Sequence, residues 1–325
     1  MSRFVFRTDV HIADRAPESR TDDWKATILG KLRQINRIAQ DRGADAILDG
    51  GDLFYLKSPS RNSHSLMVDL IRVHKEAKIP TFVVPGNHDI THDSLDSLDK
   101  QPLQVLAESG AVTLLRAGPG IIHEKAGKIS VRAVPYQKRM TLEDLKEALY
   151  PPAYPVDKTV AVVHYFASKA GGEFYGTPVF KYYDLISEFP WVDVWCFGHW
   201  HMDQGVEEID GKVFVNLGAV SRGSLRYETM DRIPKVAVLD IKKDGVAVEV
   251  VPLEVEPASN IFKVEERQQQ QYEDKQIETF VARLKHEATV STKDDLEGML
   301  KDIDIADDVR SVVLELLRGE AEEAS

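Results

Sequence analysis

The chain has almost no cysteine: Cys196 is the single one among 325 residues. An internal disulfide is therefore excluded, and the reducing cytoplasm is the expected compartment. Cys196 stands in the apolar run WVDVWCF, which predicts a core residue rather than a metal ligand.

Long apolar runs are also missing. No run approaches the roughly 20 residues that a membrane helix requires. The N-terminal residues MSRFVFRTDVH lead directly into a predicted strand, so we expect no signal peptide and no membrane association. With 43% hydrophobic residues, the chain can bury one large core and carry a smaller appendage.

An excess of positive charge is the third absence, since the net charge is -12. Residues 254–325 hold 19 Asp and Glu against 9 Lys and Arg, whereas residues 1–253 hold 34 against 32. The first part is therefore nearly neutral, and bound metal would neutralise some of its acids. The acidic total does not exclude a nucleic-acid substrate.

Five short motifs of histidine, carboxylate and amide residues each follow an apolar run that predicts a strand. In chain order they are Asp9-x-His11, Gly51-Asp52, Gly86-Asn87-His88-Asp89, His164 and Gly198-His199-x-His201. This placement predicts a cluster at the carboxyl edge of a sheet. Oxygen and imidazole ligands without thiolate suit Mn(II), Fe(II) or Zn(II). Asp52 follows two glycines, so its carboxylate can lie between two ions about 3.5–4 Å apart.

Apolar periodicity predicts helices between the strands and short strands after the last motif. The predicted helices cover residues 23–42, 63–78, 98–109 and 141–149, the last opened by a Thr141–Asp144 cap. The predicted late strands cover 213–217, 235–241 and 246–252, with a hairpin turn at 243–245. Beyond Pro257 the pattern indicates a long helix over 264–287 and two shorter ones. We therefore expect an α/β domain over residues 1–253 and an acidic helical segment over 254–325.

The motifs resemble those of the calcineurin-like metallophosphoesterases over residues 3–253. The stretches GGDLFYLKSPSRNSHSL, VPGNHD and VNLGAVSRGS are similar to the SbcD-type nuclease subunits of double-strand-break repair and recombination in bacteria, phages and archaea. The resemblance implies a two-sheet sandwich flanked by helices, with a C-terminal helical tail. It also implies a DNA nuclease, with exonuclease or endonuclease action, in which two divalent ions, foremost Mn(II), activate the attacking hydroxide.

The resemblance also implies a role for each motif residue. One ion would take Asp9, His11 and His201, the other Asn87, His164 and His199, and Asp52 would bridge them. His88 would not be a ligand; it would stabilise charge on the phosphate or protonate the leaving oxygen, with Asp89 keeping it protonated. Many nuclease relatives have histidine where this chain has Tyr55, which leaves the balance of exonuclease and endonuclease action open.

Basic residues near the motifs are candidates for contacts with DNA phosphates. They are Lys57, Arg61, Lys138, Arg139, Lys169, Arg222 and Arg226. For any one of them, an ordinary solvated surface position is the alternative.

Two other functions remain open. A phosphodiesterase or phosphatase for small nucleotides would share every ligand and differ only in the groove, and Tyr165, Phe166 and Trp200 could line a closed aromatic pocket. A scaffold without chemistry is disfavoured because every expected ligand is present.

The resemblance also implies two partners. We expect a homodimer through helices 63–78 and 98–109, unless Leu66, Leu70, Leu103 and Leu106 only pack onto their own sheet. An SbcC-type ATPase would dock its coiled coil on the C-terminal helices, unless the apolar stripes of these helices only form a small core within the chain. The expected cell is bacterial, archaeal or phage-infected.

Overall fold

Fifteen strands build the fold over the part of the chain that the structure describes. The computed structural model describes residues 1–118, 120–125, 127–223 and 232–264. In chain order the strands are β1 (Ser2–Arg7), β2 (Ala46–Asp49), β3 (Thr81–Val83), β4 (Thr113–Leu114), β5 (Ile121–His123), β6 (Ile129–Val134), β7 (Lys158–His164), β8 (Ala167–Ser168), β9 (Gly172–Phe174), β10 (Thr177–Lys181), β11 (Val194–Gly198), β12 (Gly205–Ile209), β13 (Lys212–Asn216), β14 (Lys235–Lys242) and β15 (Gly245–Pro252).

Two mixed six-stranded sheets and one small sheet result. The first large sheet has the order β15-β14-β1-β2-β3-β4, and β1 to β4 run parallel. The second has the order β12-β13-β11-β7-β6-β5, and its four central strands run parallel. The small sheet has the order β8-β10-β9. The parallel strands in each large sheet place their carboxyl ends at one edge.

The main core lies between the large sheets, and alternation along the strands explains it. Phe4 and Phe6 on β1 join a cluster with Val160 and Val162 on β7, whereas Val5 between the two phenylalanines joins a different cluster. Both faces of these strands are buried, which is why they read as continuous apolar runs. The two-sheet sandwich implied by the resemblance is therefore confirmed.

Helices cover the outer faces of the sheets. They are α1 (Trp24–Asp41), α2 (His64–Glu76), α3 (Pro102–Glu108), α4 (Leu142–Ala148), α5 (Tyr182–Glu188) and α6 (Ala258–Ile261), with 3-10 turns at Pro59–Arg61 and Leu95–Lys100. The predicted helices 23–42, 63–78 and 141–149 are confirmed to within two residues at each end. Thr141 and Asp144 form the predicted capping box. The late strands and their hairpin are also confirmed.

The predicted helix 98–109 is wrong in its first part. A 3-10 turn ends at Lys100, and α3 begins only at Pro102. Proline disfavours helical backbone in the preceding residue, and Gln101 is extended, with φ -100° and ψ 154°. The apolar spacing across this break comes from two short elements whose leucines, Leu98, Leu103 and Leu106, join the same hydrophobic cluster.

Residues Met1–Lys263 form one compact unit. Phe262 pairs with Arg20 in an isolated bridge, so the chain beyond residue 253 continues to contact this body. The division at residue 253 stays a prediction, and the predicted C-terminal helices from residue 265 onward lie outside the described residues. Over the described ranges no helix is long and apolar enough to cross a membrane.

A buried polar network joins α2 to the first sheet. The Arg7 guanidinium donates to the Asp49 carboxylate over 2.7 Å, and its second nitrogen lies 2.8 Å from His74 Nε2. The His74 ring also bonds to the Leu70 carbonyl through Nδ1. Burial, followed by the Arg7 charge, lowers the pKa of His74 to about 3. His74 is therefore neutral in the folded protein, with Nδ1 donating and Nε2 accepting.

This network predicts an acid-sensitive stability. An unfolded histidine has a pKa of about 6.5, so the unfolded chain binds the proton more readily, and stability falls as the pH drops below that value. At pH 5 the loss reaches about 2 kcal/mol relative to neutral pH. Denaturant unfolding at pH 7 and pH 5 should show this slope in the wild type and a smaller slope in His74→Gln. His64→Gln, which removes an exposed histidine of the same helix, serves as the control and should keep the slope.

Candidate metal centre

The five motifs meet at the carboxyl edge of the two large sheets. Strands β1, β2 and β3 of the first sheet lead into the Asp9, Asp52 and Asn87 loops, whereas β7 and β11 of the second sheet end at His164 and Gly198. Backbone bonds join the first two loops, because Asp9 N–H donates to Gly51 O and His11 N–H to Asp52 O. Residues up to 192 positions apart, such as Asp9 and His201, thus face one point.

The first group of candidate ligands contains Asp9, His11, Asp52 and His201. Nε2 of His11 lies 3.0 Å from Nε2 of His201 and 3.7 Å from an oxygen of Asp9. His201 Nε2 lies 3.5 Å from the same Asp9 oxygen. Three donor atoms therefore surround one small volume.

The second group contains Asp52, His164 and His199, with Asn87 beside them. His164 Nε2 lies 3.2 Å from the Asn87 amide oxygen and 3.4 Å from Asp52 Oδ2. The same Asp52 oxygen lies 3.7 Å from His11 Nε2 in the first group. Asp52 Oδ2 is thus common to both groups.

The donor set fits two cations. Nitrogen and oxygen atoms bound at about 2.1 Å to one ion stand about 3.0–3.4 Å apart in octahedral or tetrahedral geometry, close to the distances above. The carboxylates of Asp9 and Asp52 are buried, and His11 Nδ1 has no hydrogen-bond partner among the described residues. Burial favours the neutral acid, but the neighbouring imidazoles outweigh it and lower the pKa of both carboxyls. Buried anions facing imidazole nitrogens are what a divalent cation requires.

Several of these residues have left-handed backbone. The φ angles are 54° at Asp9, 48° at His11, 55° at Asp52 and 83° at His199. Such conformations cost about 1–3 kcal/mol each for residues other than glycine and cluster at functional sites. The loops are therefore held in place by their surroundings rather than by local preference.

Asp89 is the residue that joins the Asp52 and Asn87 loops. Its Oδ2 accepts the N–H of Asp52 over 2.8 Å and of Gly86 over 2.9 Å, and its Oδ1 accepts the N–H of Phe54 over 3.2 Å. Burial, with the nearby Asp52 charge, raises the pKa of Asp89. Asp89 was predicted to keep the His88 ring protonated. Its three hydrogen bonds do not match that role, because all three donors are backbone N–H groups.

His88 is oriented by another residue. Its Nδ1 lies 2.6 Å from the Tyr55 carbonyl oxygen, and its ring stacks on the Tyr55 ring with centroids 6.1 Å apart. Its backbone N–H donates to Asp52 Oδ1 over 2.7 Å. Burial lowers the pKa of His88, although Asp52 opposes this shift.

Two glycines allow these loops to approach each other. A Cβ on Gly86 would lie 2.2 Å from Asp52 Oδ1, and a Cβ on Gly51 would lie 2.6 Å from His164 Nδ1. Gly51 also has φ +100°. Any larger residue at either position would displace a candidate ligand.

The basic residues named as DNA contacts lie in different settings. Lys57 and Lys138 both pair with Asp93, at 3.5 Å and 3.2 Å, and Lys169 pairs with Glu207 at 3.1 Å. The side chains of Arg61 and Arg139 are exposed at the ligand edge.

Arg222 differs from the other basic residues because it is only 6% exposed. It donates inward to the Glu256 carbonyl, and it lines the cleft beside the metal centre rather than the outer surface. Arg226 lies outside the described residues.

A cleft of about 360 Å³ opens beside the candidate ligands. Of the three aromatic residues predicted to line a pocket, Phe166 and Trp200 line this cleft, whereas Tyr165 is buried and does not. The prediction missed Phe174, Tyr175 and Arg232, which line it as well. The signal in the sequence was weak: Phe174 and Tyr175 sit in the short run GGEFYGTP, whose glycines indicate a tight turn.

The calcineurin-like phosphoesterase family model matches residues 2–203. That is more than half of the chain, so the chain belongs to the calcineurin-like phosphoesterase family and is a metallophosphoesterase.

The individual relatives are less than 30% identical to this chain. The DNA double-strand break repair protein Mre11 of Archaeoglobus fulgidus is 27% identical over 261 residues, covering 75% of this chain and 55% of that protein. The protein of the same name from Sulfurisphaera tokodaii is 23% identical over 252 residues, covering 76% of this chain and 62% of that protein. The chain thus spans little more than half the length of these curated relatives.

Among solved structures, a dimetal phosphatase from Danio rerio superposes with a TM-score of 0.52 at 13% identity, covering 77% of this chain and 96% of that one. At this identity the likeness concerns the fold alone.

The shared Asp52 oxygen predicts coupled loss of both ions. Asp52→Asn replaces one carboxylate oxygen by an amide group and removes the charge, so the metal content of the purified protein should fall at both sites together. Elemental analysis checks this, with Asp99→Asn, an exposed acid away from the cleft, as the control. Loss of only one ion per chain would contradict the bridging position.

Proposed function

We propose that the protein is a metal-dependent DNA nuclease, the nuclease subunit of an SbcCD-type repair or recombination complex. The observation that carries the proposal is the pair of ligand groups that share Asp52 Oδ2 beside an open cleft. The Mre11 relatives support DNA as the substrate. The two-metal arrangement, the ligand roles and the DNA contacts are all part of this proposal.

In this assignment Asp9, His11 and His201 hold one ion, Asn87, His164 and His199 hold the other, and Asp52 bridges them. Two bound divalent ions, Mn(II) foremost and Fe(II) or Zn(II) otherwise, would supply charge stabilisation and an acidified water at the phosphate. Additional hydrogen bonds hold two of these ligands in place. His164 Nδ1 lies 2.6 Å from Gly50 O, and the Thr8 hydroxyl donates to the Asp9 carboxylate over 2.7 Å.

His88 is the proposed catalytic residue. The Tyr55 carbonyl engages its Nδ1 and fixes the ring orientation, which leaves Nε2 as the nitrogen that faces the substrate. From Nε2 it would stabilise charge on the phosphate or pass a proton to the leaving oxygen. Asp89 acts as a positioning residue through the backbone, not as a partner of this ring.

A small-nucleotide phosphodiesterase or phosphatase is the second candidate. The aromatic lining of the cleft favours it, because a nucleobase could stack there. The relatives favour DNA, and both reactions would use the same ligands.

The proposal extends to assembly. Leu66, Leu70, Leu103 and Leu106 are buried within the chain, as the alternative interpretation held. A homodimer through this region would instead use the exposed apolar residues Val68, Leu95 and Val105. Docking of an SbcC-type ATPase would involve the C-terminal segment, which lies outside the described residues. A DNA-repair role would place the protein in the cytoplasm.

Nuclease activity is tested directly with labelled single- and double-stranded DNA and Mn(II), beside cyclic and linear dinucleotides. Cleavage of DNA is expected, and His88→Asn should lower kcat by about 10²–10⁴ while DNA affinity and metal content stay unchanged. Hydrolysis of dinucleotides alone would favour the second candidate. Full activity in the His88 variant would remove it from the mechanism.

Phosphate contacts predict a steep salt dependence of DNA binding. Replacing both Arg61 and Arg139 by alanine should reduce the slope of log Kd against log salt by about 2, or close to 1 for each phosphate contact. The matched control replaces Lys128 and Lys243, two exposed lysines at the opposite edge of the sheets. An equal effect of both double variants would mean that the DNA follows another path.

A further inference from the structure

The cleft beside the metal centre has two chemically distinct walls in addition to the candidate ligands. One wall carries four aromatic side chains, Phe166, Phe174, Tyr175 and Trp200, which we call the aromatic ledge. Another carries Arg222 and Arg232, whose guanidinium groups also donate to the carbonyls of Glu256 and Ser221. A ligand that suits both walls has a flat apolar face and a negative charge.

The aromatic ledge is continuous with the metal centre. The Phe166 ring lies 4.2 Å from the His199 ring, and Trp200 lies 5.4 Å from both Phe166 and Phe174. Tyr175 extends the row, with its ring 4.6 Å from that of Phe174. Through Phe166 and Phe174, whose ring centroids lie 5.3 Å apart, the row of rings runs from the candidate ligand His199 to Tyr175.

Two rings of the ledge, those of Phe174 and Tyr175, lie on an anchored hairpin. Strands β9 and β10 pair from Phe174 to Thr177, and the two residues between them, Tyr175 and Gly176, both have positive φ, as a type I′ turn requires. Phe180 on β10 is buried and donates its N–H to Phe166 O. The hairpin is therefore held at its base, while its tip stands at the cleft.

Packing does not account for Tyr175. Its side chain is 89% exposed, so it contributes little to the core. The first position of a type I′ turn favours Asn, Asp or Gly, and tyrosine at φ 48° is disfavoured there. A bound ligand that covers the Tyr175 ring would account for a large aromatic side chain at this exposed turn.

We propose that the aromatic ledge stacks an unpaired nucleobase of the strand whose phosphate lies at the metal centre. This rests on the proposed nuclease function and gives it a substrate class: single-stranded DNA or a frayed end. Bases in a duplex are already stacked and cannot offer a face, whereas an unpaired base gains by stacking on an aromatic ring. Arg222 and Arg232 suit the backbone phosphates of the same strand.

The test compares binding of a single-stranded oligonucleotide with that of a duplex closed by hairpins at both ends, using the full chain in EDTA so that no cleavage occurs. A 2-aminopurine base near the 3′ or 5′ end reports stacking by fluorescence quenching. In Tyr175→Ala the preference for single strands over duplex should fall roughly tenfold, and Tyr175→Phe, which keeps the ring, should restore it. Tyr154→Ala, which removes a tyrosine that is 77% exposed and does not line the cleft, is the control.

Each outcome decides the matter. If Tyr175→Ala keeps the wild-type preference for single strands, the proposed role of the aromatic ledge is wrong. An equal loss of that preference in Tyr154→Ala would also contradict it. A third arm uses adenosine monophosphate. If the wild type binds it in a Tyr175-dependent manner yet cleaves no DNA with Mn(II), the base-stacking site stands, and both the nuclease function and the DNA assignment fail.

Discussion

The Asp89 carboxylate, through three backbone hydrogen bonds, is the constraint on which the metal centre depends. By accepting from Asp52, Phe54 and Gly86, it joins two loops that follow different strands. With the backbone of Asp52 held in this way, one of its side-chain oxygens accepts from His88 and the other faces both groups of imidazoles. A buried carboxylate without such donors would be costly, and three N–H groups without an acceptor would be equally so. The buried Asp89 carboxylate and the three backbone N–H groups therefore satisfy each other's hydrogen-bonding requirements.

Holding the loops in this form requires a rigid support. Four candidate ligands have left-handed backbone, and together these conformations cost several kcal/mol, at about 1–3 kcal/mol for each. The support comes from strands buried on both faces, so that the loops leave a core that cannot adjust. The Arg7–Asp49–His74 network adds to it from behind, because Asp49 Oδ1 also accepts the N–H of Gly51. Chemistry at the edge and packing in the interior are thus parts of one arrangement.

Much of this could be predicted from the sequence, because strand runs that end in histidine and carboxylate specify their own edge. Helix α1, the Thr141 cap and the late strands were predictable from local patterns of a few residues. The break at Pro102 was missed because two short elements can share one apolar stripe. The inward course of Arg222 and the bonds of Asp89 to the backbone depend on pairs of residues far apart in the chain, which no local pattern encodes. For the same reason the sequence carried only a weak signal for Tyr175, a glycine-flanked turn with no indication that it lies near the cleft.

The small sheet has a consequence for how such an enzyme could change over time. Strand β8 begins three residues after His164, so the small sheet, whose hairpin carries Phe174 and Tyr175, directly follows a ligand strand. Its tip is an exposed turn, the kind of site where insertions and deletions are tolerated. Insertions, deletions or substitutions in this turn could therefore change which substrates bind, while the candidate metal ligands keep their positions. Substrate specificity and phosphodiester cleavage would then evolve independently within one fold.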